Sequence, residues 1–581
     1  MNITVGVAAL SDRGRHMLPR LWEHALDLGG EAFDMTNAST KVTERRAVVN
    51  ARNVEGTWDV PTWLSDQHSV VSVSQPPVSF TQEVPADRWA EWALATTRED
   101  SARRTIHPGY FGISLREDGG FEAWNDIFGF GRCYVVENEH FLAVGNHIGM
   151  VSLFADHELL VDGYGTDVLA QLGFWPEDRS PITSVRRLGP AEVIAVGQHD
   201  DVHNRRYSDP AEHFGAREPR IDYDEVAAAL AHLTSNSGAI AKLPPTVHLS
   251  GGQDSRVTAA AWIAGGRPAT LQTIGTLPGE VEIATQLVEA LENERSMEER
   301  GLTHKVTKPN PRKLSQYSIE DRLSTAMLMW DGDFAPAKLR APVQRPPAVA
   351  RLAIGGANGE VMHGIHYPDH TMLAAVRELD HPLDRLEAAF PHKLQAPSTR
   401  ESALAFFASQ KSFTEYLGQH DATALNVFQM TSKFRRWVNA QLGSTSLTLL
   451  LNPVFVRAAV DLTPEERLDR VMQKALSRAL VPQWELIPYY KATHQETTTA
   501  MKPQAIRTWQ TSPGSMERLL HERSAWQRWF DRAKMLSVER AVHNGQGNSA
   551  HETTLNMAYV LDAIPDHVAR LEKIRSGVWS G

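Results

Sequence analysis

The stretch Leu249-Ser-Gly-Gly-Gln-Asp-Ser255 decides how the rest of this chain is read. Before it, Thr246-Val-His-Leu249 is a short apolar run with strand character. After it, SRVTAAAWIA, starting at Ser255, has helical spacing. Gly251 and Gly252 let the backbone turn sharply and approach a ligand closely. A strand that ends in such a turn and opens a helix leaves free N–H groups at the carboxyl edge of a sheet. The helix start also carries about half a positive charge, which suits a phosphate group. Ser250 and Ser255 add hydroxyl donors. Asp254 would repel phosphate unless a cation stood between them, so its presence points to magnesium. Its alternative task is capping the helix that follows. The loop is not of the Walker A type, because the terminal Gly-Lys-Ser/Thr is missing.

Working outward, strands and helices alternate. Asp224 to Leu233 is a predicted helix, Leu271 to Ile274 a second strand, Glu282 to Leu291 a second helix, and Arg351 to Ile354 a third strand ending in Gly355-Gly356. This order predicts a doubly wound parallel sheet with helices on both faces. From about Arg400 onward the pattern is mostly helical. The N-terminal part differs. Short alternating stretches such as Cys133-Tyr-Val-Val and Phe141-Leu-Ala-Val, separated by Gly, Asn and Asp turns, read as β-rich. The polar segment Gln198 to Arg220 is the candidate linker. The expected units are therefore residues 1–205, β-rich, and residues 220–581, α/β with a helical extension.

Bulk properties agree with this division. A chain of 581 residues is too long for one ordinary core. Its 42% hydrophobic and 22% charged residues are a globular mix. The net charge of -11 disfavours a nucleic-acid partner. No apolar run is long enough to cross a membrane. The start, MNITVGVAALSDRGRH, lacks the pattern of a signal peptide. One cysteine, Cys133, excludes an internal disulfide or a cysteine-based metal cluster. Together these predict a cytoplasmic protein.

The hexapeptide SGGQDS resembles the PP-loop, SGGxDS, of ATP pyrophosphatases, which holds the pyrophosphate of ATP while the α-phosphate is attacked. Other segments, in order, are similar to the asparagine synthetase B superfamily. Asn125 to Tyr134 (NDIFGFGRCY) and Thr183 to Glu192 (TSVRRLGPAE) resemble stretches of its N-terminal glutaminase domain. Thr273-Ile274-Gly275 is similar to the loop on the adenine side. Gly356-Ala-Asn-Gly-Glu360, running to Gly364, resembles the GxGxDExxxG loop. Asn452-Pro-Val-Phe455 resembles the PFLD segment, and Pro482 to Lys491 the late LPxxxxxRxK segment. The resemblance implies an Ntn-hydrolase-like N-terminal domain and a PP-loop synthetase domain. It implies ATP and Mg2+ as cofactors, with Leu249, Ser250, Gly251, Gly252, Asp254, Ser255, Thr273, Ile274, Gly355 and Gly356 around the nucleotide. Asp254 and Glu360 would be magnesium ligands, and Lys491 and Glu360 catalytic residues.

The family's glutaminase nucleophile is a cysteine at position 2, where this chain has Asn2. An amide cannot act as that nucleophile, so the N-terminal domain is expected to be inactive and the amine to arrive on the substrate. β-Lactam synthetases and lasso peptide cyclases share this departure. β-Lactam synthetases carry a tyrosine where this chain has Ala357. Arg256 and the form Glu360-x-x-His363-Gly364 look more like lasso peptide cyclases. The resemblance thus implies adenylation of an Asp or Glu side chain of a linear core peptide, then macrolactam closure by its α-amine. A complex with a leader peptidase and a precursor-recognition protein is the implied partnership. The alternative is a β-lactam synthetase-like or other ammonia-independent amide synthetase.

Remaining features have competing readings. Lys491 could neutralise charge on the α-phosphate or simply lie at the surface. His363, His366 and His370 are expected as loop histidines near the site rather than a zinc set. Arg435-Arg436 could fork onto a substrate carboxylate or phosphate, or make salt bridges. Trp526, Trp529 and Phe530 share a helical face and are expected in the core.

Overall fold

The computed structural model describes residues 2–33, 35, 37–52, 57–218, 221–292, 296–308, 317–335, 339, 351–389, 396–437, 446–490 and 507–580. The N-terminal part is built from two six-stranded antiparallel sheets. The first runs, edge to edge, through Arg186–Arg187, Tyr134–Glu137, Phe141–Gly145, Asn2–Ala9, Arg46–Arg52 and Ala38–Val42. The second runs through Val202–Arg206, Glu192–Val196, Phe121–Asn125, Phe111–Arg116, Ser69–Val73 and Trp63–Ser65. Their facing side chains, among them Ala8, Val48, Ile113, Phe121, Val135, Val144 and Ile194, form one buried layer. Alternate residues of the same strands serve the outer faces, as a period of two requires. Cys133 lies in the inner layer, fully buried, and burial pushes its thiol pKa up.

Val5, Val7, Val49 and Phe141 turn outward from the first sheet and pack under the helix Asp12–Ala32. The helices Ile319–Trp330 and Ser549–Ser580 contribute to the same core. Residues from the far end of the chain thus cover the N-terminal sheet. Trp526, Trp529 and Phe530 belong to this core and are almost fully buried.

The outer face of the second sheet, with Val71, Val73, Trp124 and Val193, shares a core with the parallel-sheet unit. That unit has five strands in the order Leu302–Thr307, Ala269–Ile274, Thr246–His248, Ala353–Ile354 and Ser446–Leu447. Every pairing within it is parallel. The helices Tyr223–Ile240, Gln253–Ala264 and Pro278–Glu292 pack in this core through Leu230, Val257 and Leu287. Two strands escape the sequence reading. Leu302–Thr307 is an edge strand with mostly polar, solvent-facing side chains, and Ser446–Leu447 has only two residues. Neither offers an apolar run.

Within the segment Gln198 to Arg220, expected as a linker, the described residues include a strand and a helix. Val202–Arg206 pairs with Glu192–Val196 at the sheet edge. Pro210–Phe214 is a short helix with a capping box at Asp209 and Glu212. Its strand hides from pattern reading because its side chains are mostly exposed, so no alternation remains. Among the described residues, no helix is long and apolar enough to cross a membrane.

Candidate active site

The parallel sheet grows in one direction from Thr246–His248 through Ala269–Ile274 to Leu302–Thr307, then reverses. The next strand, Ala353–Ile354, lies on the other side of Thr246–His248. This reversal is a topological switch point, where the loops leaving the strand ends part and open a crevice. A cleft of about 620 Å³ lies there. It is lined by His248, Ser250, Gly252, Gln253, Asp254 and Ser255 from the first loop. Gly355, Gly356, Ala357, Glu360 and His363 line it from the second, and Ser446, Leu447 and Thr448 from the third.

The glycine loop leads into the helix Gln253–Ala264. Gly252 is the N-cap, and no side chain caps this helix end. Its first-turn N–H groups therefore lack the usual side-chain acceptor. The Ser250 and Ser255 hydroxyls lie 2.7 Å apart across the loop, and the Gly252 N–H donates to Ser250 Oγ at 3.1 Å. Asp254, in the first helical turn, does not cap the helix. Its Oδ2 lies 3.3 Å from His363 Nε2, and its Oδ1 is buried with no hydrogen-bond partner.

The second loop passes directly over this turn. A Cβ at Gly356 would come within 2.7 Å of both Asp254 Cβ and the Ser255 nitrogen, and one at Gly359 would collide with the Asp254 carboxyl group. Glycine is what allows the two loops to touch. Between them Asn358, in the left-handed region at φ 72°, turns the chain so that Glu360 enters the cleft. Glu360 Oε2 is also buried without a partner. Burial, and then the like charge of Asp254, push the Glu360 carboxyl pKa up, while His363 and Lys433 act against the rise. Burial lowers the pKa of Lys433, with Glu360 opposing.

A third element reaches the loop from far along the chain. Arg256 is buried and donates to the carbonyls of Ile487 and Pro488 at 2.7 and 2.6 Å, with its guanidinium 4.0 Å from the centre of the Tyr489 ring. The Tyr490 N–H donates to the Gly251 carbonyl at 2.9 Å. The segment preceding Lys491 is thus fastened to the glycine loop. Lys491 itself lies outside the described residues.

Of the residues expected around a nucleotide, Ser250, Gly252, Asp254, Ser255, Gly355 and Gly356 line the cleft together with Glu360. The others stand elsewhere. Leu249 is buried beneath the loop, and Gly251 faces Tyr490. The Thr273 hydroxyl is fully buried, donating to the Leu249 carbonyl and pairing with His304 Nε2, both at 2.9 Å. It ties neighbouring strands together. Ile274 is an exposed apolar side chain at the end of its strand.

The three histidines of HGIHYPDH part company. His363 meets Asp254, His366 is 3.3 Å from Gln429 Oε1, and His370 is exposed at the start of the helix His370–Arg377. Arg435 and Arg436 do not reach the cleft. Arg435 donates to the carbonyls of Gly129 and Leu188 and pairs with Asp178. Arg436 donates to Asp333 at 3.1 Å and to the Glu177 carbonyl at 2.6 Å. Both are buried staples onto the N-terminal part, so the substrate-fork reading is set aside. Sequence reasoning missed Lys433 and the cleft wall at Ser446–Thr448. Both are distant in sequence and carry no motif.

No protein-family model matches this chain, and no curated protein matches it. A solved structure of the allosteric regulatory enzyme of purine biosynthesis is similar at 10% identity, over 55% of this chain and 82% of that one, with a TM-score of 0.23. The likeness is too slight to inform the site, which rests on its own residues.

Proposed function

We propose that this chain is an ATP-dependent amide ligase of the ATP-pyrophosphatase type, acting as a lasso peptide cyclase. The observation that carries the reading is the pairing of two opposite devices in one cleft. An uncapped helix start with Ser250 and Ser255 offers donors for phosphate oxygens. Beside it, Asp254 in the same turn and Glu360 from the second loop each hold a carboxylate oxygen with no hydrogen-bond partner. Such hard oxygen donors fit magnesium, which when bound there would offset the negative charge of the phosphates. ATP would lie with its pyrophosphate in the Ser250–Ser255 loop.

The peptide's Asp or Glu carboxylate attacks the α-phosphorus, and the bond to the bridging oxygen breaks, releasing pyrophosphate. The peptide's α-amine then attacks the acyl carbon, loses a proton, and AMP departs as the macrolactam closes. Holding both reacting ends in one cleft supplies rate through effective concentration. Lys491 is assigned to charge on the α-phosphate and the acyl oxygen, supported by the fastening of Tyr490 to Gly251. Asn2 leaves the N-terminal part without a glutaminase nucleophile. The linear core peptide would come from a leader peptidase working with a precursor-recognition protein. Labelled pyrophosphate exchange into ATP, with peptide and magnesium present, tests the adenylation step. Peptide-dependent exchange supports the reading; release of ADP and phosphate instead would replace it with γ-phosphate chemistry.

A further inference from the structure

We propose a second metal site, outside the cleft, that takes a zinc-like transition-metal ion. Its converging ligands are Glu517, Glu539 and His543, with His521 hydrogen-bonded to Glu539 beside them. Glu517 closes the short helix Ser515–Glu517, which continues as one π-helical turn over Arg518–Glu522 and carries His521. Glu539 and His543 lie on the helix Arg532–His543. Each helical segment thus presents a glutamate and, four residues on, a histidine, a spacing that keeps both on one face.

The two segments meet in crossed register. His543 Nε2 lies 3.0 Å from Glu517 Oε1, and His521 Nε2 lies 2.9 Å from Glu539 Oε1. Ligand atoms of Glu517, Glu539 and His543 all lie within 4.8 Å of one another. Among the described residues, no other group of three such side chains converges in this way. One imidazole nitrogen and two carboxylate oxygens, leaving a fourth position open, form a donor set that suits zinc better than magnesium or calcium, with the His521 imidazole holding Glu539 from outside. Pairs of helices build such sites in bundle proteins from the same residue types. Glu539 is largely buried, whereas the two histidines are about half exposed. The site is therefore anchored on one side and open to an entering ion on the other. Zinc ligands stand about 2.0–2.2 Å from the ion, so the exposed side chains need only rotamer adjustments to close on it. The bound ion would clip the 515–522 segment to its neighbouring helix.

Two surface histidine–carboxylate pairs with no metal are the competing reading, and such pairs add little stability. The test uses the full chain freed of metal with a chelator, then titrated with zinc chloride, and with cobalt chloride for its visible absorption. The expected result is one zinc bound per chain, with a tetrahedral cobalt spectrum. The double variant His521→Ala/His543→Ala, and separately Glu539→Gln, should each weaken zinc binding by at least roughly 10-fold. Circular dichroism checks that both variants keep the helices. Absence of zinc binding by the unaltered chain, or equal binding by a folded variant, overturns the proposal.

Discussion

His363 Nε2 lies 3.3 Å from Asp254 Oδ2, so the second loop fixes one carboxylate oxygen of the glycine loop and leaves Oδ1 buried without a hydrogen-bond partner. Under the proposed function, His363 would position Asp254 as a magnesium ligand. His363→Ala should raise the magnesium concentration needed for AMP formation by roughly 10- to 100-fold, with turnover recovered at saturating magnesium. His363→Gln, which keeps a donor, should recover part of the loss. A magnesium titration of AMP release checks this; an unchanged magnesium dependence would remove His363 from the site.

Asp254→Ala and Lys491→Ala should fail in different ways. The first loses a carboxylate inside the glycine loop and should lose binding of magnesium-ATP in calorimetry. The second should bind nucleotide nearly as before but turn over roughly 10²–10³ more slowly, the loss expected when one charge-stabilising group is removed. Equal turnover by Lys491→Ala would take the late segment out of the chemistry.

Gly359→Ala places a methyl group against the Asp254 carboxyl. Overpacking of this kind costs about 1–3 kcal/mol, so the melting temperature should drop by about 1–2 degrees in a chain of this length. The loss of AMP formation should be larger than that instability explains, because Asp254 itself is displaced. A variant with normal activity and normal melting would show that the two loops do not touch as described.

Acid should destabilise the fold through buried neutral histidines. Burial pushes His107 down to about 3 and His366 down to about 4. An unfolded histidine takes up a proton below about pH 6.5, while these two remain neutral in the fold. Between those values the unfolded state binds more protons, so stability falls as pH falls, by up to about 3 kcal/mol for each. Denaturant unfolding from pH 7 to 4 should show this slope. His107→Gln and His366→Gln should flatten it; an unchanged slope in the double variant would assign acid sensitivity to other groups.

The parallel sheet and its glycine loop were legible because strand, turn and helix occupy adjacent residues there. Asp254 and Glu360 were paired only through the resemblance to the asparagine synthetase B superfamily; both line the same cleft. What stayed hidden was carried by distant partners. Arg256 was singled out by resemblance alone; its partners, the carbonyls of Ile487 and Pro488, lie far along the chain. Arg435 and Arg436 read equally as ligand-binding or salt-bridging, because nothing nearby in sequence shows the carbonyls and carboxylates that surround them. Thr273 was expected beside a nucleotide, yet its side chain is turned inward to Leu249 and His304. Val202–Arg206 escaped because an exposed edge strand leaves no alternation to read.

The most direct test is mass spectrometry of a linear peptide, with a free α-amine and an internal Asp or Glu, incubated with the full chain, ATP and magnesium. The account predicts a peptide one water lighter, resistant to aminopeptidase, formed with one AMP and one pyrophosphate each, and none of these with Asp254→Ala. Formation of the same peptide with ADP and phosphate, or undiminished closure by Asp254→Ala, would contradict it.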